Sequence, residues 1–241
     1  MNSWSPSFLA YMTPLLAGGV AVLSWWFTRL LVSKASLLLS IDHPTDRSLH
    51  TKPTPRSGGL AILATVLIGL GVAALGFAVV SPSTGFLPKG FASASVWIVG
   101  SIALVTTVSF LDDRRGLAVG LRFAVQAIAA GIVVWGVGLT LPSIPIPGIK
   151  TIELGWFAAP VSVLFLLWMT NLYNFMDGMD GFAGGMTTLG FGFLAYFGWR
   201  TGHPFMLLTA TIVSMSALGF LVHNFPPARI FMGDVGSISL G

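Results

Sequence analysis

The stretch from Asn171 to Gly181 reads NLYNFMDGMDG, and in it Asn171, Asn174, Asp177 and Asp180 recur at every third position. If the apolar helix before it continues past Met169, this spacing keeps four oxygen-bearing side chains roughly on one face. Such a row suits a hard cation such as Mg²⁺ and a phosphate-bearing substrate. Gly178 and Gly181 would let a ligand approach the backbone. The competing reading is a polar turn rich in Asn, Asp and Gly, although a turn needs no such register.

Three other stretches carry candidate chemistry. FLDDRRGL places Asp112 and Asp113 side by side, followed by Arg114 and Arg115. Adjacent carboxylates repel, so hydrogen bonds or a hard cation would give the pair a reason; a solvated helix end neutralised by the two Arg is the alternative. HNFPPARIFMGDVGS holds Arg229, a potential fork for phosphate, and Asp234, an isolated acid suited to a metal. The alternative there is a loop that re-enters the next helix. DHPTDRSLHTKPTPRSGG, residues 42–59, carries His50, Lys52 and Arg56 among Pro and Gly. Basic groups there could meet anionic head groups, or the segment is an ordinary basic loop. No paired-His spacing of the HExxH kind occurs, so Zn²⁺ is not expected.

These residues sit in a chain of 241 that is 54% hydrophobic and only 8% charged, with mean hydropathy +0.86. Soluble domains carry about 25% charged residues, so the composition describes a polytopic membrane protein. There is no Cys, which excludes disulfides, thiol nucleophiles and Cys-ligated metals. The first apolar run, Phe8 to Val32, has no Lys or Arg before it. It is longer than the roughly 7–15 residues of a signal-peptide core and matches a membrane span instead.

Seven segments are expected to span as helices: 8–32, 58–80, 91–111, 117–139, 155–173, 181–199 and 204–222. Backbone groups in lipid must satisfy one another, and no alternating barrel strands occur. With the N-terminus outside, nine of the 12 Lys and Arg fall in or beside the inner loops, leaving Lys89, Lys150 and Arg200 outside. The positive-inside rule then makes those inner loops cytoplasmic. All seven Asp lie on that side and only Glu153 lies outside. Seven carboxylates in four loops on one face suggest one shared site. The outer LPSIPIPG is expected to be extended. Trp25, Trp26, Trp156 and Trp199 sit near span ends as interface aromatics do, and Gly181, Gly184 and Gly185 suit close helix contact. The fold expected is thus all-α, a single integral membrane domain over residues 1–241.

RSLHTKPTPRSGGLAI, FLDDRRGL, NLYNFMDGMDGFAGG and PPARIFMGDVGSISLG resemble, in order, the cytoplasmic motifs of the polyprenyl-phosphate N-acetylhexosamine-1-phosphate transferases. The resemblance covers roughly residues 42–241. The NLYNFMDG wording is most like the branch that starts O-antigen and related surface glycans. Two departures stand out. Many relatives carry an acid or Asn where this chain has Gly116, so no role transfers to that position. The family also has about ten spans and a later His-rich loop, whereas this chain stops at Gly241, so it is expected to be a fragment.

The resemblance implies attack of undecaprenyl phosphate on the sugar-linked phosphate of a UDP-sugar, giving undecaprenyl-diphospho-sugar and UMP. It implies Mg²⁺, with Mn²⁺ as a substitute, held by Asp234 first and Asn174 second. Asp112 would orient or deprotonate the lipid phosphate beside Asp113, and Asp177 would support the metal–diphosphate site. Asp180 would contact the uridine. His50, Lys52, Arg56, Asn171 and Arg229 are the remaining substrate-binding candidates. The expected partners are undecaprenyl phosphate, a UDP-N-acetylhexosamine and the membrane, with a second copy of the chain as a further candidate; nucleic acid is not expected. The location implied is the bacterial inner membrane, with the active site facing the cytoplasm. The rival readings are a cation- or proton-coupled transporter, which tends to place its acids near the midplane of its spans, and a CDP-alcohol phosphatidyltransferase, whose motif carries an Arg that DGMDGFAGG lacks.

Overall fold

The computed structural model describes residues 6–33, 41–42, 53–80 and 91–241. Eight α-helices dominate them: α1 (Pro6–Ser33), α2 (Gly58–Val80), α3 (Phe91–Arg115), α4 (Val119–Gly131), α5 (Ala158–Met176), α6 (Phe182–Arg200), α7 (Pro204–Asn224) and α8 (Gly233–Leu240). The π-helical turns Ile132–Val137 extend α4. Among the described residues, six helices are long and apolar enough to cross a membrane. They correspond to every expected span except 181–199. That segment does form a helix of 19 residues, α6, but five Gly, two Thr, Tyr196 and Arg200 dilute its apolar character.

The helical expectation also missed two small antiparallel ladders. Ile41–Asp42 (β1) pairs with Thr54–Pro55 (β2). The segment expected to be merely extended is a hairpin, Ser143–Ile146 (β3) against Lys150–Glu153 (β4). Alternating Ile and Pro favour extended backbone, and Gly148 supplies the positive φ of 78° that reverses the chain.

Helix α7 is the hub. Leu208 and Ile212 pack with Leu16 and Val20 of α1 and Ala73 of α2. Nearer the opposite end, Phe220 packs with Ile62, Ala183, Ile230 and Met232. Because lipid is as apolar as Leu, close approach and polar contacts between helices count for more than apolar burial alone. A Cβ on Gly219 would collide with the Ala21 carbonyl of α1. Ser24 Oγ donates to the Ser216 carbonyl at 2.6 Å, and Thr65 Oγ1 meets Ser216 Oγ at 3.1 Å. These contacts bind α1, α2 and α7 into one frame. Gly184 behaves as expected, its α-carbon facing Leu221 and Phe220 closely, while nothing approaches Gly185.

Candidate active site

Asp112 lies in the last turn of α3 and is buried. Its Oδ1 accepts from the Leu117 N–H at 2.6 Å, and its Oδ2 accepts from Arg122 Nη1 at 2.8 Å. Gly116, in the left-handed region at φ 62°, makes the turn that brings Leu117 back onto that carboxylate. Asp113 is half-buried, within electrostatic reach of Asp234, Arg56, Asp112 and Asp177.

Asp177 closes the C-terminus of α5, and its Oδ2 accepts from the Gly233 N–H at 2.8 Å. Gly233 is the first residue of α8, where backbone N–H groups have no partner inside the helix. Asp177 therefore caps the helix that carries Asp234, and the positive end of the helix dipole favours both carboxylates. Burial pushes the Asp177 carboxyl up to about 7, against the lowering pull of hydrogen bonds from Gly233 and Met232. Burial also raises the Asp234 carboxyl, and the neighbouring Asp112 raises it further. Asn174 lies one turn before Asp177, and its Oδ1 accepts from Ser237 Oγ of α8 at 3.3 Å.

The segment before α2 holds α8 in place. Phe231 N–H donates to the Pro55 carbonyl at 2.8 Å, Gly58 N–H to the Phe231 carbonyl at 2.9 Å and Gly59 N–H to the Met232 carbonyl at 2.8 Å. A Cβ on Gly59 would collide with the backbone of Gly236, and one on Gly233 with the Arg56 carbonyl. The glycines of TPRSGG and MGDVG thus permit two backbones to touch, and Arg56 enters the field of Asp113, Asp177 and Asp234. Arg56 also stands 3.6 Å from Asp42.

The structure therefore brings together Asp112, Asp113, Asp177, Asp234, Asn174 and Arg56. Other candidates go elsewhere. Each step of three residues rotates about 60° around an α-helix, so the row drifts. Asn171 turns to α4, donating to Gln126 Oε1 and to the Leu167 carbonyl, both at 2.8 Å. Asp180 falls beyond the end of α5 and accepts from the Ala228 N–H at 2.9 Å. Gly181 is not an open backbone surface, because its N–H donates to Asn224 Oδ1 at 3.0 Å. Arg229 is exposed and lines a separate cleft. His50 and Lys52 lie outside the described residues.

One residue that sequence reasoning left as a flanking charge belongs at the centre. Arg122, in the first turn of α4, bridges Asp112 at 2.8 Å and Asp234 at 3.7 Å. The available signal was an Arg one turn inside an apolar helix, where an unpaired charge is costly. Buried acids are retained only when paired or hydrogen-bonded, and Arg122 with the Leu117 and Gly233 amides meets that need. Among the described residues, no three acidic or His side chains form a ready-made metal cage.

With that geometry in place, similarity to known sequences defines the class. A sequence model described as glycosyl transferase family 4 matches residues 94–241, and the chain belongs to that family. Among its relatives, a probable undecaprenyl-phosphate N-acetylglucosaminyl 1-phosphate transferase of Bacillus subtilis (strain 168) is 34% identical over 203 residues, covering 84% of this chain and 52% of the relative. A decaprenyl-phosphate N-acetylglucosaminephosphotransferase of Mycobacterium leprae (strain TN) is 34% identical over 235 residues, covering 92% and 56%. A phospho-N-acetylmuramoyl-pentapeptide-transferase of Synechococcus sp. (strain JA-3-3Ab) is 36% identical over 221 residues, covering 86% and 58%. The chain spans about half the length of these curated relatives.

Proposed function

We propose that this chain carries the acidic centre of an enzyme that transfers an N-acetylhexosamine 1-phosphate from a UDP-sugar to undecaprenyl phosphate. The observation that carries the reading is the convergence of Asp112, Asp113, Asp177 and Asp234 from α3, α5 and α8 at one end of a bundle of membrane-type helices. Family membership favours this over a transporter, as does the placing of the acids at helix ends. The relatives' names make N-acetylglucosamine 1-phosphate the first donor group to test. An O-antigen-like surface glycan is the proposed destination, and the bacterial inner membrane, with α6 as a further span and the acids facing the cytoplasm, is the proposed setting.

An oxygen of the lipid phosphate attacks the sugar-linked phosphorus, and the bond from that phosphorus to the oxygen of UMP breaks. UMP leaves with the electron pair. The task for the protein is to let two anions approach in line. The site offers only oxygen donors, which fits Mg²⁺, and one or two protein oxygens suffice when substrate phosphates complete the shell. Asp234 would hold the ion, with Asn174 beside the same turn of α8 as second donor; when bound, the ion neutralises diphosphate charge. Asp112 and Asp113 orient the lipid phosphate. That phosphate has a second pKa of about 6 by analogy with phosphoamino acids, so it needs little help to ionise. Asp177 acts chiefly by fixing the N-terminus of α8. Arg56, His50 and Lys52 are the proposed phosphate contacts from the segment before α2, and Asp180 a contact to the nucleotide.

The test uses membranes containing the complete gene product, undecaprenyl phosphate, Mg²⁺ and a panel of UDP-N-acetylhexosamines. Formation of a lipid-diphospho-sugar with release of UMP is expected for at least one donor. Absence of product with every donor overturns the reading.

A further inference from the structure

A second polar constellation lies outside the acid cluster and shares no residue with it. A cleft of about 620 Å³ runs between the last turns of α1 and the end of α7 with its following loop, lined by Trp25, Arg29, Val222, His223, Phe225 and Arg229 among others. Among the described residues, none that lines the cleft is acidic. Arg29 and Arg229 are both exposed. The Arg29 guanidinium lies 5.4 Å from the centre of the Trp25 ring, and His223 stacks with Trp25 at 5.9 Å between ring centroids. This places the Arg29 head group beside the cleft wall. His223 is only 7% exposed. Its Nε2 is buried in that wall with no hydrogen-bond partner among the described residues.

The rim is apolar, with Val222 61% exposed and Phe225 66% exposed. Arg29 and His223 belong to the final turns of helices of membrane-crossing type. A guanidinium in the last turns of α1 and another in the loop after α7, flanked by an aromatic ring and exposed apolar side chains, match a phosphate at the surface of a bilayer with acyl chains below it. A soluble phosphate would use the cations and leave the apolar rim wet.

We infer that the Arg29–Arg229 cleft is a binding site for the phosphate head group of an anionic membrane phospholipid, distinct from the acid cluster. This inference does not depend on the transfer reaction, so its test stands apart from that of the enzyme.

The complete protein, purified in detergent, is titrated with phosphatidylglycerol or phosphatidylcholine, and retained lipid is counted by native mass spectrometry. Wild type is expected to retain phosphatidylglycerol about tenfold more strongly, and Arg29→Gln with Arg229→Gln is expected to remove that preference, since each basic group near an anionic surface contributes a several-fold effect. Millimolar inorganic phosphate should not displace the lipid. Arg200→Gln, at the opposite end of the bundle, should leave the preference intact. Equal retention of the two lipids by wild type overturns the inference, as does an unchanged preference in the double variant or an equal loss in the Arg200 variant. Displacement by inorganic phosphate also overturns it, and would assign the cleft to a soluble ligand. If the double variant does not fold, Arg229→Gln alone, at an exposed loop position, should lower retention about threefold to fivefold; no change there is equally fatal.

Discussion

The two ends of the helix bundle use the same charged residue types in opposite ways. At the end where α3 and α5 stop and α8 begins, Asp112 is buried, Asp113, Asp177 and Asp234 are half-buried, and Arg122 ties two of them together. At the other end, around the β3–β4 hairpin and the α6–α7 turn, Lys150, Glu153 and Arg200 are all exposed. Withdrawing a carboxylate from water is costly unless hydrogen bonds or an opposite charge compensate. The first end meets that cost with two backbone amides and an Arg, and still holds carboxyls raised well above their ordinary range. Perturbed acids held together by specific contacts single out the candidate site; the exposed charges at the turns have no such contacts around them among the described residues.

The sharpest way to break this contrast is to neutralise the acids. Asp234→Asn and Asp112→Asn are each expected to lower the transfer rate at least about 100-fold, the scale seen when one preorganised electrostatic group is lost. Thermal unfolding of the purified variants separates this from misfolding, and rates within about threefold of wild type would remove these residues from the chemistry. Arg122→Gln comes next. It leaves Asp112 and Asp234 without the cation between them, and a fall of roughly tenfold to 100-fold is expected by the same electrostatic reasoning. As Arg122 acts by positioning, the Mg²⁺ concentration needed for half-maximal rate should shift as well, and Arg122→Lys should restore part of it. A pure loss of rate with no change in Mg²⁺ dependence would argue against a bridging role.

Asp177 sharpens the contrast through pH. Burial raises its carboxyl from 3.8 to about 7. A carboxyl raised on folding holds its proton more tightly in the folded chain. Its contribution is therefore fully present below about pH 4, declines as pH rises towards about 7, and is flat above that. Asp177→Asn keeps an oxygen for the Gly233 N–H but cannot ionise. Without Mg²⁺, the variant's gain in melting temperature over wild type should grow between about pH 4 and 7 and then level off. A gain that does not vary with pH would mean that the surroundings of Asp177 do not raise its carboxyl.

Much of this organisation was legible in the chain itself. Runs of apolar residues near 20 long marked the long helices, six of the seven expected being apolar enough to span, because bilayer thickness fixes helix length. Parity and basic residues then gathered Asp112, Asp113, Asp177 and Asp234 onto one side before any contact was known. What escaped was set by rotation and by contacts between distant segments. The three-residue row from Asn171 to Asp180 suggests one face, but 3.6 residues per turn sends Asn171 to Gln126, and α5 ends at Met176, so Asp180 leaves the helix and reaches Ala228. Arg122 counted only as a basic flank, since nothing local says that α4 starts beside α8. Gly59 and Gly236 must each be small because the other backbone lies against it, a constraint between distant segments that no local pattern declares. The β3–β4 hairpin was likewise hidden in a segment legible only as extended.

The smallest expected effect lies at the exposed end, and it is the control on which the comparison rests. Lys150→Ala, Glu153→Ala and Arg200→Ala, singly or together, should change the transfer rate by less than about twofold, because exposed charges contribute roughly 0–1 kcal/mol even when paired. Each should alter unfolding free energy by no more than about 0.5 kcal/mol, as surface substitutions away from special features usually do. The same assay and the same unfolding measurement used for Asp234→Asn apply, so the two ends are read on one scale. A tenfold fall in rate from the triple variant would show that charge at both ends of the bundle is coupled to the reaction. Coupling across the membrane is what a transporter requires and what a one-sided transferase does not, so that result would reopen the choice between them.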